Sequence, residues 1–441
     1  MPEVADTMDL YLSMFERFEK QRGRGAWLMH IRKAAISRFA ELGFPTTDDE
    51  EWRYTNVAPI AGTAFAPAPE CVITAEQLLP LLYDTATPRL VLVGGRFAPK
   101  LSLLNSLPHG VRLASLREAV EHEDETVRAH LARHARPDDQ AFTALNTALL
   151  EDGAFLEIAR GVVVEKPIHI VYVSTPGCTA WIANPRNLIV AGANSQVTIV
   201  ESYIAPEPSV YFNNVVTEIV AMENAVVDHY KVTLESAAAF HIAALKLHQH
   251  RNSNVHSFVG SFGGGLVRHD IHAVLDGEGC DCGLNGLYMV DGSRHVDNHL
   301  VVDHAKPHCN SREFFKGILD GKGKGIFSGR IIVRPDAQKT DAKQTNMSLL
   351  MSKDAQVESK PQLEIFADDV KCTHGATIGQ VNDEAVFYLR SRGLAEKDAR
   401  GMLVHAFAGE VLDRVKVGPL RAQLEKLVVE RLPQADRPKD L

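Results

Sequence analysis

The sequence has no run of about 18 consecutive apolar residues able to cross a bilayer as a helix. Its opening, MPEVADTMDL, has neither the basic flank nor the apolar stretch of a secretory signal. The expectation is a cytoplasmic chain with no membrane partner. Positive charge is also short: 47 Lys and Arg against 56 Asp and Glu leave a net charge of -9, with no long basic block. A surface that binds nucleic acid by displacing its counterions is therefore not expected. Aromatic residues make up only 7% of the chain. The six cysteines, at 71, 178, 280, 282, 309 and 372, are too dispersed to staple a small secreted domain, so reduced thiols are expected. Two catalytic signatures are missing as well. No GxSxG nucleophile elbow occurs. The GKGKG run at 321–325 lacks the order of a phosphate-binding P-loop and leads into IFSGRIIV, which reads as a strand, so no nucleotide is expected on this chain.

What is present is a 441-residue chain with 45% hydrophobic side chains, enough for a large core in two or three structural regions. Residues 1–150 read as mainly helical with some strand. Leu10, Met14, Phe15 and Phe18 recur at helical spacing, as do Leu28, Ile31, Ala35, Ile36 and Phe39, with a stop at Gly43 and Pro45. The acidic run from Asp48 to Glu51 reads as a solvated helix start before Trp52, LVLVGGRF at 90–97 reads as a strand, and a helix is expected around 138–150.

From Gly153 the texture changes to short β-branched runs, among them VVVE at 162, IHIVYVS at 168, NLIVAG at 187 and QVTIVESY at 196. Turn residues recur at a loose period: Asn194, Asn224, Asn252 and Gly279 are spaced by 30, 28 and 27 residues. Short strands at that period, with no long helix between them, predict the stacked coils of a parallel β-helix over 151–379 ahead of a β-sandwich. From 380 to 441 the pattern returns to helix. There Leu403, Phe407 and Val411 form an apolar stripe at i, i+4 and i+8 that either packs on the chain's own helices or anchors a partner.

The most pointed chemistry is KCTHGATIG at 371–379. If this segment is extended, Cys372 and His374, at i and i+2, emerge on one face, where a thiolate and an imidazole could share one metal or one partner. The bland alternatives are a small buried thiol and a histidine bonded to a turn. Cys280 and Cys282 form a CxC with no second pair at zinc-site spacing, which favours core or corner packing. His295, His299, His304, His308 and Cys309 put five candidate ligands in fifteen residues, but VDNHLVVDH reads as a strand that scatters them over different faces.

Three sets of residues carry a resemblance to a known family. They are EEWRYT at 50–55, GGGLVRHDIHAVLDG at 263–277, and a near-continuous run from FFKGILDGKGKGIFSGRIIV through QTNMSLLMS to KPQLEIFADDVKCTHGATIGQVNDEAVFYLRSRG. Together they resemble the SufD proteins of the SUF iron–sulfur cluster assembly system. The resemblance implies a right-handed parallel β-helix between helical regions and no enzymatic activity. It implies pairing with SufB through the β-helix, binding of the SufC ATPase by the C-terminal helices, and a homodimer when alone. It also implies that Cys372 and above all His374 lie at the SufB interface beside a transient, shared iron–sulfur cluster. Two other functions compete with it: a β-helix carbohydrate-active enzyme using acidic residues on one face, and a self-contained metal-binding protein using the histidines at 295–308.

Overall fold

The computed structural model of the chain describes residues 4–21, 26–70, 72–138 and 140–432. Cys71 and the end of the expected C-terminal region lie outside the described residues. The centre is a parallel β-solenoid of about eight turns. Its strands alternate along the chain between an eleven-stranded sheet, here sheet A, and a ten-stranded sheet B. In sheet B, for example, Val226–Leu234, Asn254–Ser261, Asp281–Val290, Asn310–Leu319, Asp341–Leu350 and Lys371–Gln380 follow one another as parallel neighbours.

The corners explain the period seen in the sequence. Asn194, Asn224 and Asn252 have φ of 60°, 58° and 55°, and Gly279 has 75°. Asn tolerates this left-handed conformation and Gly occupies it freely. Each corner N–H donates to the next coil, as in Asn194 N to Glu223 O and Asn224 N to Arg251 O, both at 2.9 Å. Side chains stack too, with Asn224 Nδ2 donating to Asn194 Oδ1 at 2.8 Å. At Gly279 a Cβ would stand 2.6 Å from Asn252 Oδ1, so the asparagine column ends there. The same corner continues at His308 and Lys339, with φ of 59° and 62°. Neither residue type advertises a turn, so the sequence pattern stops two coils before the structure does.

Inside, in-register pairing stacks side chains into columns. One column on sheet B runs Val227, Val255, Cys282, Ser311, Ala342, Cys372, and its neighbour runs His229, Ser257, Leu284, Glu313, Gln344, His374. The apolar members join a continuous core with sheet-A residues such as Ile219, Leu245, Ile271, Leu300 and Phe327. Each fully buried Leu, Ile or Phe contributes roughly 1.5–3 kcal/mol relative to exposure.

The two helical regions cover opposite outer faces. Tyr11, Phe39, Phe44 and Phe142 of the N-terminal helices pack over Phe212, Ile242 and Leu266 of sheet A. Three tail helices, Asp383–Ser391, Glu396–Leu412 and Gly418–Arg431, pack over sheet B on Tyr230, Phe258, Leu287 and Ile318. The expected helix ends are found: Gly43 N–H donates to Phe39 O at 2.9 Å, and Gly393 has φ 98° after the first tail helix. One expectation needs correction. The VVVE run forms only an isolated bridge from Val163 to Gln196, with Val163 56% exposed while Val164 is buried in the core. The strand read at 90–97 is found as Arg89–Val93 and Arg96–Phe97; Arg89–Val93 joins sheet B and Val111–Ser115 joins sheet A.

Candidate functional site

The strand Lys371–Gln380 is the outermost of sheet B and, among the described residues, pairs on one edge only, with Asp341–Leu350. It is extended, so Cys372 and His374 do share a face, as the i, i+2 spacing predicts. That face is the one on which Ala342 and Gln344, their partners one coil earlier, are buried in the solenoid interior. At the last coil the same positions open. Cys372 is half-buried against a small cluster of Ile331, Val333, Ala337, Ala342 and Ala367, while His374 is exposed. Burial pushes the Cys372 thiol up, and nearby Asp341 adds to this.

The layer beneath His374 is polar. Gln344 is fully buried and donates from Nε2 to Glu313 Oε2 at 2.5 Å. Burial pushes the Glu313 carboxyl up to about 8, opposed by that hydrogen bond. Glu313 Oε1 and Gln344 Oε1 have no hydrogen-bond partner among the described residues. No group of three or more His, Cys, Asp or Glu among the described residues could hold a metal ion. The ledge thus presents two donors, with apolar Ile365, Phe366 and Ile378 exposed at the same end of the solenoid.

The tail stripe has a definite place. Val411 is fully buried, and Leu403 and Phe407 are half-buried in the cluster that joins the tail to sheet B. Lys316, whose side chain is buried, fastens this contact: its Nζ donates to Phe407 O at 2.8 Å and to Glu410 Oε2 at 2.6 Å, and lies 4.1 Å from the Phe407 ring centre. The large apolar side chains that the tail leaves exposed are Phe387, Tyr388 and Met402.

Other candidates resolve into structure. Cys280 sits buried at a corner and Cys282 faces the interior. The histidines of 295–304 divide between faces. His295 and His299 point outward from sheet A, His304 points inward to Ser311, and His308 is a corner residue.

The outward pair meets a segment whose role sequence reasoning left unassigned, EEWRYT. Thr55 Oγ1 donates to Asp297 Oδ2 at 2.6 Å and lies 2.8 Å from His295 Nε2. Glu51 pairs with His299 at 3.1 Å, Tyr54 O accepts from Lys324 at 2.7 Å, and Glu50 pairs with Lys360. The Arg268 guanidinium, held by Asp270 and Asp297, stacks 3.8 Å from the Trp52 ring centre. The acidic run is, as expected, an exposed helix start, a single 3-10 turn over Glu50–Trp52, and the segment it opens is also a strap over four successive coils. In the sequence this segment stood out by the density of charged and aromatic residues in six positions and as one of the three sets that carry the family resemblance.

Comparison with known proteins bears on the whole chain. Residues 175–407 match the family model described as SUF system FeS cluster assembly, SufBD core domain, and residues 5–170 match the SufBD protein N-terminal region. The iron–sulfur cluster assembly protein SufD of Escherichia coli is 32% identical over 445 residues, covering 99% of each chain. An iron–sulfur cluster assembly SufBD family protein of Synechocystis is 34% identical over 412 residues, covering 91% of this chain and 90% of its own. SufD of Bacillus subtilis is 26% identical, with 94% of this chain and 96% of its own covered.

Proposed function

The chain belongs to the SufBD family of iron–sulfur cluster assembly proteins and is a SufD homologue, and from that premise we propose that it is a non-catalytic scaffold holding half of a shared cluster site. The observation that carries this reading is the position of Cys372 and His374. They end two neighbouring inward-facing columns side by side, at the last coil, where those columns are open. Iron–sulfur clusters are commonly held by four protein ligands, and two are offered here. The cluster is cargo, completed by ligands from a second solenoid.

The partner in this reading is SufB, set against the open end where Ile365, Phe366 and Ile378 are exposed. In its absence a second copy of this chain takes the same place as a homodimer. A site divided between two chains releases its cargo when they separate, whereas four ligands on one chain would retain it. SufC, the ATPase, binds the tail helices. Phe387, Tyr388 and Met402 supply the contact, and Leu403, Phe407 and Val411 transmit it by seating the tail on sheet B. ATP is bound and hydrolysed by SufC, and this chain relays the resulting movement from tail to solenoid.

The test is co-purification with SufB and SufC followed by anaerobic cluster reconstitution. Replacing His374 or Cys372 by alanine is expected to lower cluster yield by at least about tenfold, the loss that removing even an outer-shell partner of a metal ligand brings, while complex assembly persists. Wild-type yield in both variants would remove these residues from the site.

A further inference from the structure

Cys280 and Cys309 are 29 positions apart, one coil of the solenoid. They occupy equivalent corners, immediately before the sheet-B strands Asp281–Val290 and Asn310–Leu319. Those strands run in register with Asp281 opposite Asn310, and Asn310 N–H donates to Cys280 O at 2.9 Å. The two cysteines are therefore stacked on neighbouring coils. Parallel neighbours lie about 4.8 Å apart, inside the roughly 4.4–6.8 Å window of Cα separations that a disulfide spans. Both side chains are 0% exposed, and both thiols donate to the same acceptor, Gly277 O, at 3.1 Å from Cys280 Sγ and 3.2 Å from Cys309 Sγ. Two sulfur atoms converging on one oxygen are near each other.

We propose that Cys280 and Cys309 are a redox modification site, closing a reversible disulfide across two coils when the chain meets a peroxide. Reactivity falls to Cys280. Its hydrogen bond with Cys309, helped by Ser253 and Gly277, offsets burial and draws the thiol down, while Cys309 is held up as the protonated partner. A thiolate is the nucleophile in such reactions. The Cys280 thiolate attacks one peroxide oxygen, breaking the O–O bond; hydroxide leaves, takes up a proton and becomes water, and Cys280 becomes a sulfenic acid. Cys309 sulfur then attacks the Cys280 sulfur, forming the S–S bond as the sulfenic oxygen leaves with the Cys309 proton, as a second water. Two thiols and one hydrogen peroxide give one disulfide and two waters.

Geometry also selects the pair. Cys282, two residues from Cys280, faces the interior with Val255 and Ser311 as its column neighbours, so no thiol stands next to it across the ladder. Cys372 has Ala342 in that place.

The full-length folded chain, freed of reductant, is treated with hydrogen peroxide. It is then denatured in an alkylating reagent, digested and analysed by mass spectrometry. The expected result is a linked peptide containing Cys280 and Cys309, with two fewer alkylated thiols and both restored by dithiothreitol. Cys282→Ser should leave the link intact. Cys309→Ser should abolish it and leave a sulfenic acid at Cys280 that dimedone traps. The proposal is overturned if Cys280 and Cys309 both remain fully alkylated while exposed Cys178 oxidises, or if the link appears only when peroxide is added in denaturant. Both readings come from the wild-type chain and do not depend on how the serine variants fold.

Discussion

Two strands of sheet B, Asp281–Val290 and Lys371–Gln380, carry a cysteine in the same column and differ in almost everything else. In the first, nine of ten residues are buried; in the second, none is. Cys282 is 1% exposed, and burial, with Glu313 and Asp281 nearby, holds its thiol well above the usual range. Cys372 is half-exposed and its thiol is raised less decisively by the same cause. In the next column Leu284 fills the interior where the last coil has His374. The difference is supplied by neighbours. A position in a solenoid is core when coils stand on both sides of it, and it becomes a ledge when one side ends.

The strongest way to break this comparison is to move the ledge chemistry inside. Leu284→His would place an imidazole in a column lined by Ser257 and Glu313, losing apolar burial and adding a polar ring that the packed interior must satisfy. A loss of about 2–5 kcal/mol is expected, read as a lower denaturant midpoint at unchanged m-value. Wild-type stability would mean that the closed coils tolerate polar groups as freely as the open one.

A smaller effect comes from Glu313, between the two strands. Its folded pKa of about 8 lies above the ordinary 4.5, so the folded state keeps a proton that the unfolded chain gives up. Stability from this group is therefore full below about pH 4.5 and is lost as pH rises through about 8. The opposite sign belongs to His134, His272 and His295, which burial lowers to about 4. Their contribution is complete above pH 6.5 and fades as pH falls. The two trends separate above pH 6.5. There the wild type should lose stability on the order of 2 kcal/mol by pH 8 relative to Glu313→Gln, since one pKa unit corresponds to about 1.4 kcal/mol. Parallel unfolding curves for the two proteins over pH 6.5–8 would show that Glu313 is ionised throughout.

Much of this architecture was readable from residues alone. The Asn194, Asn224, Asn252, Gly279 spacing marked the coils because left-handed corners restrict residue choice, and KCTHGATIG declared its shared face because strand periodicity is two. The corner at His308 and Lys339 stayed hidden because hydrogen bonds between coils hold unfavoured residues there. The strap of residues 50–55 and the pairing of Cys280 with Cys309 stayed hidden for another reason. Each joins residues brought together only by stacking, and no local pattern records which coil lies beside which. The stripe Leu403, Phe407, Val411 was correctly periodic, but periodicity cannot say whether an apolar face meets its own sheet or a partner; the buried Lys316 contact shows its own sheet.

The smallest expected effect on stability is the sharpest test of the ledge. His374→Leu removes the imidazole from the outermost strand, where no covering coil packs on it, and Cys372→Ser alters a half-exposed side chain at the edge of a small cluster. Surface changes of this kind usually shift stability by no more than about 0.5 kcal/mol. The corresponding inward position one coil earlier is different: Gln344→Leu strips Glu313 of the one hydrogen-bond donor it has among the described residues and should cost about 1–3 kcal/mol. Measured together by denaturant unfolding, the three variants divide sharply if the column closes between residues 344 and 374. A large loss in His374→Leu would place that side chain in the core and remove the argument that it waits for a partner's ligands.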